Sequence, residues 1–475
     1  MPTPGDAAVI GSGPNGLAAA ITMAQAGYRV VVYEAENSIG GGTRSDSLTL
    51  PGFVHDVCSA VHPMAASSEF FRRNNLEESG LRWVYPEAAL AHPFDDGAAI
   101  LITRSLSETS AQFAADGPNV LRLFRPFVER WDDLSCDILR PARVPRHPLL
   151  VARFGRDAVF PAASVAVRKF KTRKARAAFA GLAAHSMMPL TAWGSAAFGM
   201  LLWTTCHAVG WPIAVGGSQS IAKALALCLE RLGGHIVTNA RIKSLQDLPE
   251  SAVVICDVTP RQFLQIGGER ISGSERFKLQ NYKYGPGAFK IDWALDGPIP
   301  WNAPACSKAG TVHLGGSLEE ISQSEKAAWG PEPADKPFVL LSQPSLFDPT
   351  RAPKGKHTAW AYCHVPHAGT VDMVQRIEDQ VERFARGFRA RVIGRSVMRP
   401  SDLERHDANL IGGDISGGAV SLQRLVLRSS SKSYRTSIPG VFLCSSSTPP
   451  GPGVHGLCGY FAARLADKSS HARRS

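Results

Sequence analysis

The sequence contains no cysteine pattern typical of a disulfide framework or a metal centre. Its nine cysteines are odd in number and scattered, and no two of them have CxxC or CxxxxC spacing. This argues against a secreted disulfide-rich protein, a zinc site and a dithiol reductase centre, so we expect no metal. The start, MPTPGDAAVIGSG, also lacks a basic segment followed by an apolar one. We therefore expect no signal peptide and predict a cytoplasmic protein.

Signatures of nucleic-acid recognition modules are also absent, although the chain is basic. Lys and Arg number 52 against 41 Asp and Glu, which gives a net charge of +11. Part of this excess is local, in the run 168–176. We predict no nucleic-acid partner, because a basic helix face without such a module is usually only solvated. Beside an apolar stretch, however, the same run predicts peripheral contact with an anionic membrane surface.

One long segment, residues 187–215, contains no Asp, Glu, Lys or Arg. It is long enough to cross a bilayer. Prolines and glycines interrupt it, however, and a lipid-facing helix gains nothing from such breaks. We therefore predict buried helices that line an apolar ligand pocket. The side chains available to contact the ligand are Trp193, Phe198, Met200, Leu201 and Trp203.

The strongest motif lies near the start, in AAVIGSGPNGLAAAITMAQAGYRVVVYEA. Gly11, Gly13 and Gly16 form the pattern GxGxxG between a predicted strand and a predicted helix. Such a turn brings backbone N–H groups and the positive end of the helix dipole to a diphosphate. Glu34 ends the following strand, where a carboxylate accepts hydrogen bonds from a ribose diol. Because strand, turn, helix and acidic residue occur in register, the segment predicts a dinucleotide site.

A glycine-rich segment, SIGGGTR, follows at residues 38–44. A GG-x-x-[ST]-type extension at this place is frequent in FAD-linked Rossmann proteins, whereas NAD-linked ones usually lack it. Glycines let the chain pass close to the diphosphate and ribitol. Arg44 could offset phosphate charge. A flexible loop is the alternative, and the position of the segment favours a cofactor contact.

A second glycine-rich turn lies near the end, in IPGVFLCSSSTPPGPGVHGLCGYFAARLA. A strand over 441–443 is followed by a loop and by a helix predicted over 455–466. The start of such a helix would direct N–H groups at the pyrimidine edge of a flavin and favour its anionic reduced ring. Alone, the segment is an ordinary proline-rich turn. Together with the N-terminal motif it predicts a flavin site.

Alternating strands and helices place the chain in the α/β class, α+β overall. The predicted strands cover 7–10, 29–33, 252–256 and 441–443, and the predicted helices cover 14–26, 220–232 and 455–466. This alternation predicts a Rossmann-type FAD-binding domain built from discontinuous segments, together with a substrate or cap domain of mixed sheet and helix. The FAD-binding domain comprises residues 1–75, 213–270 and 431–475, and the substrate domain comprises residues 76–212 and 271–430.

With these motifs the sequence resembles the phytoene-desaturase-like FAD oxidoreductases, within the amine-oxidase-type flavoproteins. The resemblance rests on the two glycine-rich segments and on two further blocks, LPGFVHDVCSAVHPM and AAHSMMPL…CHAVGWPIAVGGSQSIAKALALCLERLGGHIVTNARI. These blocks cover somewhat under a third of the chain but span nearly its whole length. The resemblance implies FAD as the cofactor.

The resemblance also implies which residues contact FAD. The set includes Ser445, which stands where relatives usually have glycine, and a proline interrupts what is often a glycine triplet nearby. The implied contacts are Gly11, Gly13, Pro14, Asn15, Gly16, Glu34, Ala35, Gly41, Gly42, Thr43, Arg44, Ile242, Ser445, Gly451, Gly453 and Val454.

No fixed catalytic motif exists in this family, so the resemblance names no base. We take His62 and His455, near the two flavin segments, as candidate catalytic residues. A base of near-neutral pKa is useful when C–H cleavage sends hydride to a flavin. The alternative for each is a histidine that only hydrogen-bonds the flavin or the backbone. His185 and His207 lie in apolar surroundings and are predicted to be core histidines.

The predicted function is that of an FAD-dependent dehydrogenase or desaturase. It would move hydride from an apolar substrate, polyene or isoprenoid-like, to flavin N5. No second GxGxxG follows a predicted strand, so we expect oxygen or a quinone as electron acceptor and no NAD(P)H domain. Two alternatives stay open: a flavin-dependent isomerase or cyclase without net redox, and a non-enzymatic flavin-binding scaffold.

Overall fold

The computed structural model describes residues 6–421 and 434–474. The predicted domain boundary at 430/431 lies outside the described residues. The strands are β1 Asp6–Ile10, β2 Arg29–Tyr33, β3 Ser45–Asp46, β4 His55–Asp56, β5 Trp83–Val84, β6 Ala88–Pro93, β7 Ala99–Thr103, β8 Ile213–Ala214, β9 His235–Val237, β10 Val253–Cys256, β11 Gly287–Leu295, β12 Ala309–Leu314, β13 Val339–Ser342, β14 His357–Val365, β15 Val392–Met398 and β16 Val441–Leu443.

The α-helices alternate with the strands at both ends of the chain and form a continuous run in its second quarter. They are α1 Pro14–Gln25, α2 Pro63–Ser67, α3 Glu69–Asn74, α4 Leu106–Ala111, α5 Gly117–Val128, α6 Trp131–Ile138, α7 Pro148–Ala158, α8 Ala162–Lys169, α9 Arg173–Ala184, α10 Ser195–Ala208, α11 Gln219–Arg231, α12 Pro260–Gly267, α13 Gly273–Gln280, α14 Leu318–Ala327, α15 Val374–Phe384, α16 Pro400–His406 and α17 Leu457–Arg474.

Five parallel strands form one sheet of the described chain, in the order β16-β10-β1-β2-β9. Its central strands are apolar and buried, as expected for a parallel sheet covered on both faces. The sequence predicted β1, β2, β10 and β16 to within one residue at either end. The mixed α/β class is confirmed, because a parallel sheet and a mixed sheet both occur. The division into two domains stays a prediction.

Helix α1 begins directly after the glycine-rich turn, with Pro14 in its first turn. Its small apolar residues allow α11 and α17 to pack closely against it. The closest approach is at Gly459 of α17, where a Cβ atom would stand 1.8 Å from the backbone oxygen of Asn15. Helix α17 therefore packs in close backbone contact with α1, the helix that follows the first glycine-rich turn.

The second large sheet has seven strands in the order β15-β11-β14-β13-β12-β6-β7. Its neighbours pair antiparallel except β12 and β6, which run parallel. Side chains alternate between the faces of a strand, so Thr311 and His313 share one face of β12. The paired register places Leu340 opposite both His313 and Tyr362. This face provides one wall of the cavity described below.

The uncharged segment 187–215 contains α10, which is buried among neighbouring helices. Trp203 of α10 is fully buried and stacks on Phe124 with the ring centroids 4.7 Å apart. Within the described residues, no helix combines the length and apolar character needed to cross a membrane. The prediction of buried helices in this segment is confirmed.

Candidate functional site

A cavity of about 730 Å³ lies where the parallel sheet faces the seven-stranded sheet. Both glycine-rich segments line it. Of the predicted site residues, those in its wall are Gly11, Gly13, Pro14, Asn15, Glu34, Ala35, Gly41, Gly42, Thr43, Arg44, His62, Ile242, Ser445, Gly453 and Val454, whereas Gly16, Gly451 and His455 lie outside the wall. The proposed contacts of these residues with a cofactor stay predictions.

The first glycine turn is shaped by close backbone contacts. Gly11 has φ +95°, a conformation that favours glycine. A Cβ atom on Gly16 would stand 2.1 Å from the carbonyl oxygen of Gly11, so Gly16 allows the helix to start tight against the strand. In the second segment, a Cβ atom on Gly41 would lie 3.4 Å from the Cα atom of Gly13. The two loops therefore meet at one edge of the cavity.

Glu34 is buried at the end of β2 and is held by its own chain. Its Oε2 atom accepts hydrogen bonds from the Ser12 backbone N–H at 2.9 Å and from the Ser12 hydroxyl at 2.5 Å. Its Oε1 atom accepts from the Glu36 backbone N–H at 2.9 Å and, at 3.3 Å, from Arg44. These four contacts fix the carboxylate in place, and its predicted hydrogen bonds to a ribose diol stay a prediction.

Arg44 lies in the cavity wall and is also held by contacts within the protein. Its guanidinium contacts Glu34 and also donates to the backbone oxygens of Ser38 at 3.2 Å and His406 at 2.8 Å. These contacts use all three of its nitrogen atoms within the protein. Arg44 therefore lies beside Glu34 and joins the glycine-rich segment to α16, and its contact with a cofactor phosphate stays a prediction.

Asp257, directly after β10, is a cavity residue that sequence reasoning noted only as the end of a strand. Its Oδ2 atom accepts the Gly16 backbone N–H at 2.8 Å and would lie 2.8 Å from a Cβ atom on Gly13. Burial raises the pKa of this carboxyl group to about 8, and Asp407 and Glu34 act in the same direction. The side chain is therefore mostly protonated at neutral pH, at the turn predicted to hold a diphosphate.

The C-terminal loop brings Ser445, Gly453 and Val454 to the cavity. Helix α17 begins at Leu457, two residues later than the sequence predicted. His455 lies in the turn before it, where its Nδ1 accepts the Leu457 backbone N–H at 3.0 Å and its Nε2 donates to the Gly451 oxygen at 3.1 Å. Both ring nitrogens are thus used by the backbone. This arrangement matches the alternative of a histidine that hydrogen-bonds the backbone, and a catalytic role for His455 stays a prediction.

His62 lies in the cavity wall, as expected of a catalytic candidate. Its Nε2 is 2.9 Å from the Ser218 hydroxyl, which itself donates to the Ser59 oxygen at 2.5 Å. His62 must therefore donate through Nε2, which leaves a lone pair on Nδ1, and that atom has no hydrogen-bond partner among the residues that the structure describes. Burial lowers the pKa of His62 to about 4, so the ring is neutral at physiological pH.

The wall formed by the seven-stranded sheet and α10 is mainly apolar. It does not contain the five side chains predicted from segment 187–215, because α10 directs Met200 and Trp203 into the protein core and Trp193 is 55% exposed. Leu202 and Trp211 take their place from the same segment. The apolar and aromatic part of the wall comprises Leu202, Trp211, Leu340, Trp360 and Tyr362.

Two polar groups in this wall were missed by sequence reasoning. His185, predicted to be a core histidine, lines the cavity, and its Nε2 lies 3.0 Å from the Nε2 of His313. Burial lowers the pKa of His185 to about 3, so the pair is neutral and one ring donates to the other. Lys290 of β11 also lines the cavity and pairs with the buried Asp292. The sequence gave no signal for the first pair, because His185 and His313 are 128 positions apart. Lys290 and Asp292 lie two residues apart on β11, and the sequence does not indicate that both are buried at a cavity.

Comparison with known proteins extends the resemblance beyond the motifs. A family model described as an NAD(P)-binding Rossmann-like domain matches residues 9–73. Pyridine nucleotide-disulfide oxidoreductase domain-containing protein 2 of Rattus norvegicus is 25% identical, over 97% of this chain and 93% of its own length. A lycopene-forming phytoene desaturase of Pseudescherichia vulneris is 23% identical, over 94% of this chain and 96% of its own.

Solved structures with the same fold include oxidoreductases and amine oxidases. An oxidoreductase from Methanosarcina mazei has a TM-score of 0.64 at 15% identity and covers 97% of this chain and 99% of its own. Cyclohexylamine oxidase from Brevibacterium oxydans has a TM-score of 0.60 at 13% identity, and each chain is covered to 99%. Over nearly its whole length the chain is therefore similar to the phytoene-desaturase-like oxidoreductases of the amine-oxidase-type fold, and the resemblance stated from the sequence is confirmed.

Proposed function

We propose that the protein is an FAD-dependent oxidoreductase that removes hydride from an apolar, polyene or isoprenoid-like substrate. The observation that carries this proposal is a single cavity lined both by the two glycine-rich segments and by a mainly apolar wall. The first part offers backbone N–H groups and a fixed carboxylate to a dinucleotide. The second part offers a hydrophobic surface to a substrate beside it.

The residues present fit FAD in three respects. The cavity volume of about 730 Å³ lies within the range of cofactor sites, about 300–1,000 Å³. Hydrogen bonds fix the Glu34 carboxylate at the end of β2, and the turn at Gly13 meets the loop at Gly41 at one edge of the cavity, which supports a dinucleotide at this edge. Protonated Asp257 adds no negative charge there at neutral pH. FAD, when bound, supplies the hydride acceptor.

An apolar substrate is favoured by the composition of the remaining wall. Leu202, Trp211, Leu340 and Trp360 would contact it, and burying apolar area contributes about 25 cal/mol per Å². A charged substrate would lose hydration in the same place. A structural relative, putrescine oxidase, was solved bound to putrescine, and its fold similarity alone makes amine oxidation the second candidate.

Oxidation of a saturated bond to an alkene releases one proton for each hydride removed, so the cavity needs a proton acceptor. His62 and His185 both face the cavity as neutral rings. His185 belongs to the apolar wall; burial makes its ring a weak base, and its contact with His313 offsets this because a proton taken from the substrate can be shared between two imidazoles. We propose His185 as the acceptor, with His62 as the alternative, and oxygen or a quinone as the final electron acceptor.

The absorbance spectrum of the purified protein tests this function. We expect the spectrum of oxidised flavin at close to one FAD per chain, with the flavin released when the protein is denatured. A protein expressed with ample riboflavin that shows no flavin absorbance, and binds no added FAD, would contradict the proposal. Bound FAD that no substrate reduces would favour the isomerase or scaffold alternatives.

A further inference from the structure

The positive charge of the protein is concentrated in one segment. Residues 140–176 contain eleven Lys and Arg and a single acid, Asp157, whereas the whole chain has a net charge of +11. Asp157 is buried and is neutralised locally, since Lys169 lies 2.8 Å from it and Arg156 lies 3.3 Å from it. Residues 140–176, which run from the segment before α7 through α8 to the start of α9, therefore have a net charge of +10, eleven basic residues against one acid.

Helix α7 presents apolar and basic side chains together on its exposed side. Leu149, Arg153 and Arg156 recur at helical spacing and are exposed, with Leu149 at 86%. Val159, the residue that follows the helix, continues this side. The opposite side, including Leu150 and Phe154, is buried in the protein core. Leu149 buries little apolar area within the protein, so the fold of the chain does not explain an apolar side chain at this position.

The exposed side of α8 and the loop at Trp193 continue the same surface. The Gly194 backbone N–H donates to the Val159 oxygen at 2.8 Å, and the rings of Trp193 and Phe160 lie 5.1 Å apart. The guanidinium of Arg168 lies 4.3 Å over the Phe160 ring. We call this surface the basic apolar face, and its members are Leu149, Arg153, Arg156, Val159, Val167, Arg168 and Trp193.

We propose that the basic apolar face docks on the surface of an anionic lipid bilayer, with its apolar side chains in the headgroup region. Basic residues are attracted to anionic headgroups, and aliphatic side chains and tryptophan partition into the interface below them. A second copy of the chain is disfavoured as the partner, because a two-fold contact would place the same positive surface against itself. Nucleic acid would match the charge but leave the leucine, valines and tryptophan exposed.

This face shares only Arg168 with the run 168–176 indicated by the sequence. Lys174 of that run pairs with Asp96 at 2.8 Å, and Arg176 donates to the Phe170 oxygen at 2.9 Å. The docking surface therefore shifts towards α7, whose exposed side carries the most exposed of these apolar side chains, Leu149.

The position of the face suggests what docking would achieve. Helices α7 and α8 pack against α10, and Leu202 of α10 lines the cavity. The bilayer would thus lie one helix layer away from the apolar wall. Transfer of an apolar substrate from lipid into this cavity rests on the proposed function, whereas binding to the bilayer does not.

Flotation with lipid vesicles tests the proposal on the full-length protein with its natural cofactor content. We expect recovery with vesicles that contain about a third phosphatidylserine, little with phosphatidylcholine alone, and weaker recovery at high salt. The double variant Leu149→Glu/Arg153→Glu should bind at least tenfold less. The matched control is Phe277→Glu/Lys278→Glu, which changes an exposed aromatic and a neighbouring exposed lysine on α13.

Circular dichroism melting and flavin content should be the same in both double variants, since all four side chains are exposed. Equal vesicle binding by the two variants would overturn the proposal, as would equal recovery with neutral and anionic vesicles. Binding to duplex DNA of the same affinity, lost in the Leu149→Glu/Arg153→Glu variant, would assign the face to nucleic acid instead. Vesicle binding by a protein that binds no FAD would support docking through the basic apolar face and would contradict the proposed function.

Discussion

Asp257 is the side chain whose charge bears most directly on cofactor binding. Its carboxyl group occupies the N-terminal end of α1 through the Gly16 N–H, and burial raises its pKa to about 8. A diphosphate is attracted to the same end of the helix. A diphosphate and the Asp257 carboxyl group can both lie at this helix end only while Asp257 is protonated, because two anions would otherwise lie together in a buried site.

We therefore predict that FAD occupancy falls as the pH rises through about 8, whereas Asp257→Asn keeps its FAD at pH 9. The expected difference in dissociation constant at pH 9 is at least tenfold, about 1.4 kcal/mol. The raised pKa also means that wild-type stability decreases as the pH rises from about 4 towards 8. Asp257→Asn should therefore melt higher than the wild type at pH 9 and equally at pH 4. Parallel loss of FAD in both proteins would contradict this role.

Glu34 tests the ribose end of the same site. Glu34→Arg would place a second guanidinium beside Arg44 and remove the acceptor for the Ser12 N–H. We expect flavin occupancy to fall at least tenfold, measured by absorbance of the purified protein. Glu34→Gln keeps the shape and one acceptor oxygen, so its occupancy should fall less. Unchanged occupancy in a folded Glu34→Arg protein would remove Glu34 from the site.

His185 tests the proposed proton acceptor. His185→Gln should slow anaerobic flavin reduction by about 10²–10⁴-fold, the usual contribution of a general base, while FAD content stays constant. The control is His207→Gln, which changes a buried histidine outside the cavity wall. Stopped-flow absorbance, with whichever apolar compound reduces the wild type, gives both rates. Equal slowing by the two variants would indicate a structural effect, and no slowing by His185→Gln would favour His62.

At the scale of elements, the packing of α17 on α1 joins the two ends of the chain. Gly459→Ala would force a methyl group to 1.8 Å from the Asn15 oxygen, so the helices must separate. We expect a loss of about 1–3 kcal/mol in the free energy of unfolding, as for other overpacked sites, together with weaker FAD binding. Gly155→Ala, in α7 where the added Cβ would have no described atom within 4 Å apart from the backbone of its own helix, should instead stabilise slightly. Denaturant titration of both variants checks this.

The elements around the glycine-rich turns could be predicted from the sequence because their signals are local. The GxGxxG turn, Pro14 at the first helical position and the apolar strands each identify an element from neighbouring residues. Helix α17 begins two residues later than predicted, because Gly456 has φ +66° and the ring of His455 binds the backbone of the loop. The pocket side of α10 could not be predicted, since the helix is apolar all round and its sequence does not indicate which side meets the cavity.

At the scale of the whole molecule, the site depends on residues that are far apart in the sequence. Asp257 contacts Gly16 across 241 positions, and His185 contacts His313 across 128. No short motif encodes such pairs, so sequence reasoning found the glycine-rich segments and missed the polar groups opposite them. The resemblance to flavin oxidoreductases could be recognised from the sequence, because it rests on local motifs at both ends of the chain.

The central claim is that one cavity holds both FAD and an apolar substrate. The most direct measurement is anaerobic flavin absorbance during titration with a panel of polyene and isoprenoid compounds and, in parallel, of small primary amines. The account predicts bleaching of the oxidised flavin band by at least one apolar compound and by no amine, because Leu202, Trp211 and Leu340 give the wall its hydrophobic character. Rapid bleaching by a small primary amine, with none by any apolar compound, would contradict the account and assign the protein to amine oxidation.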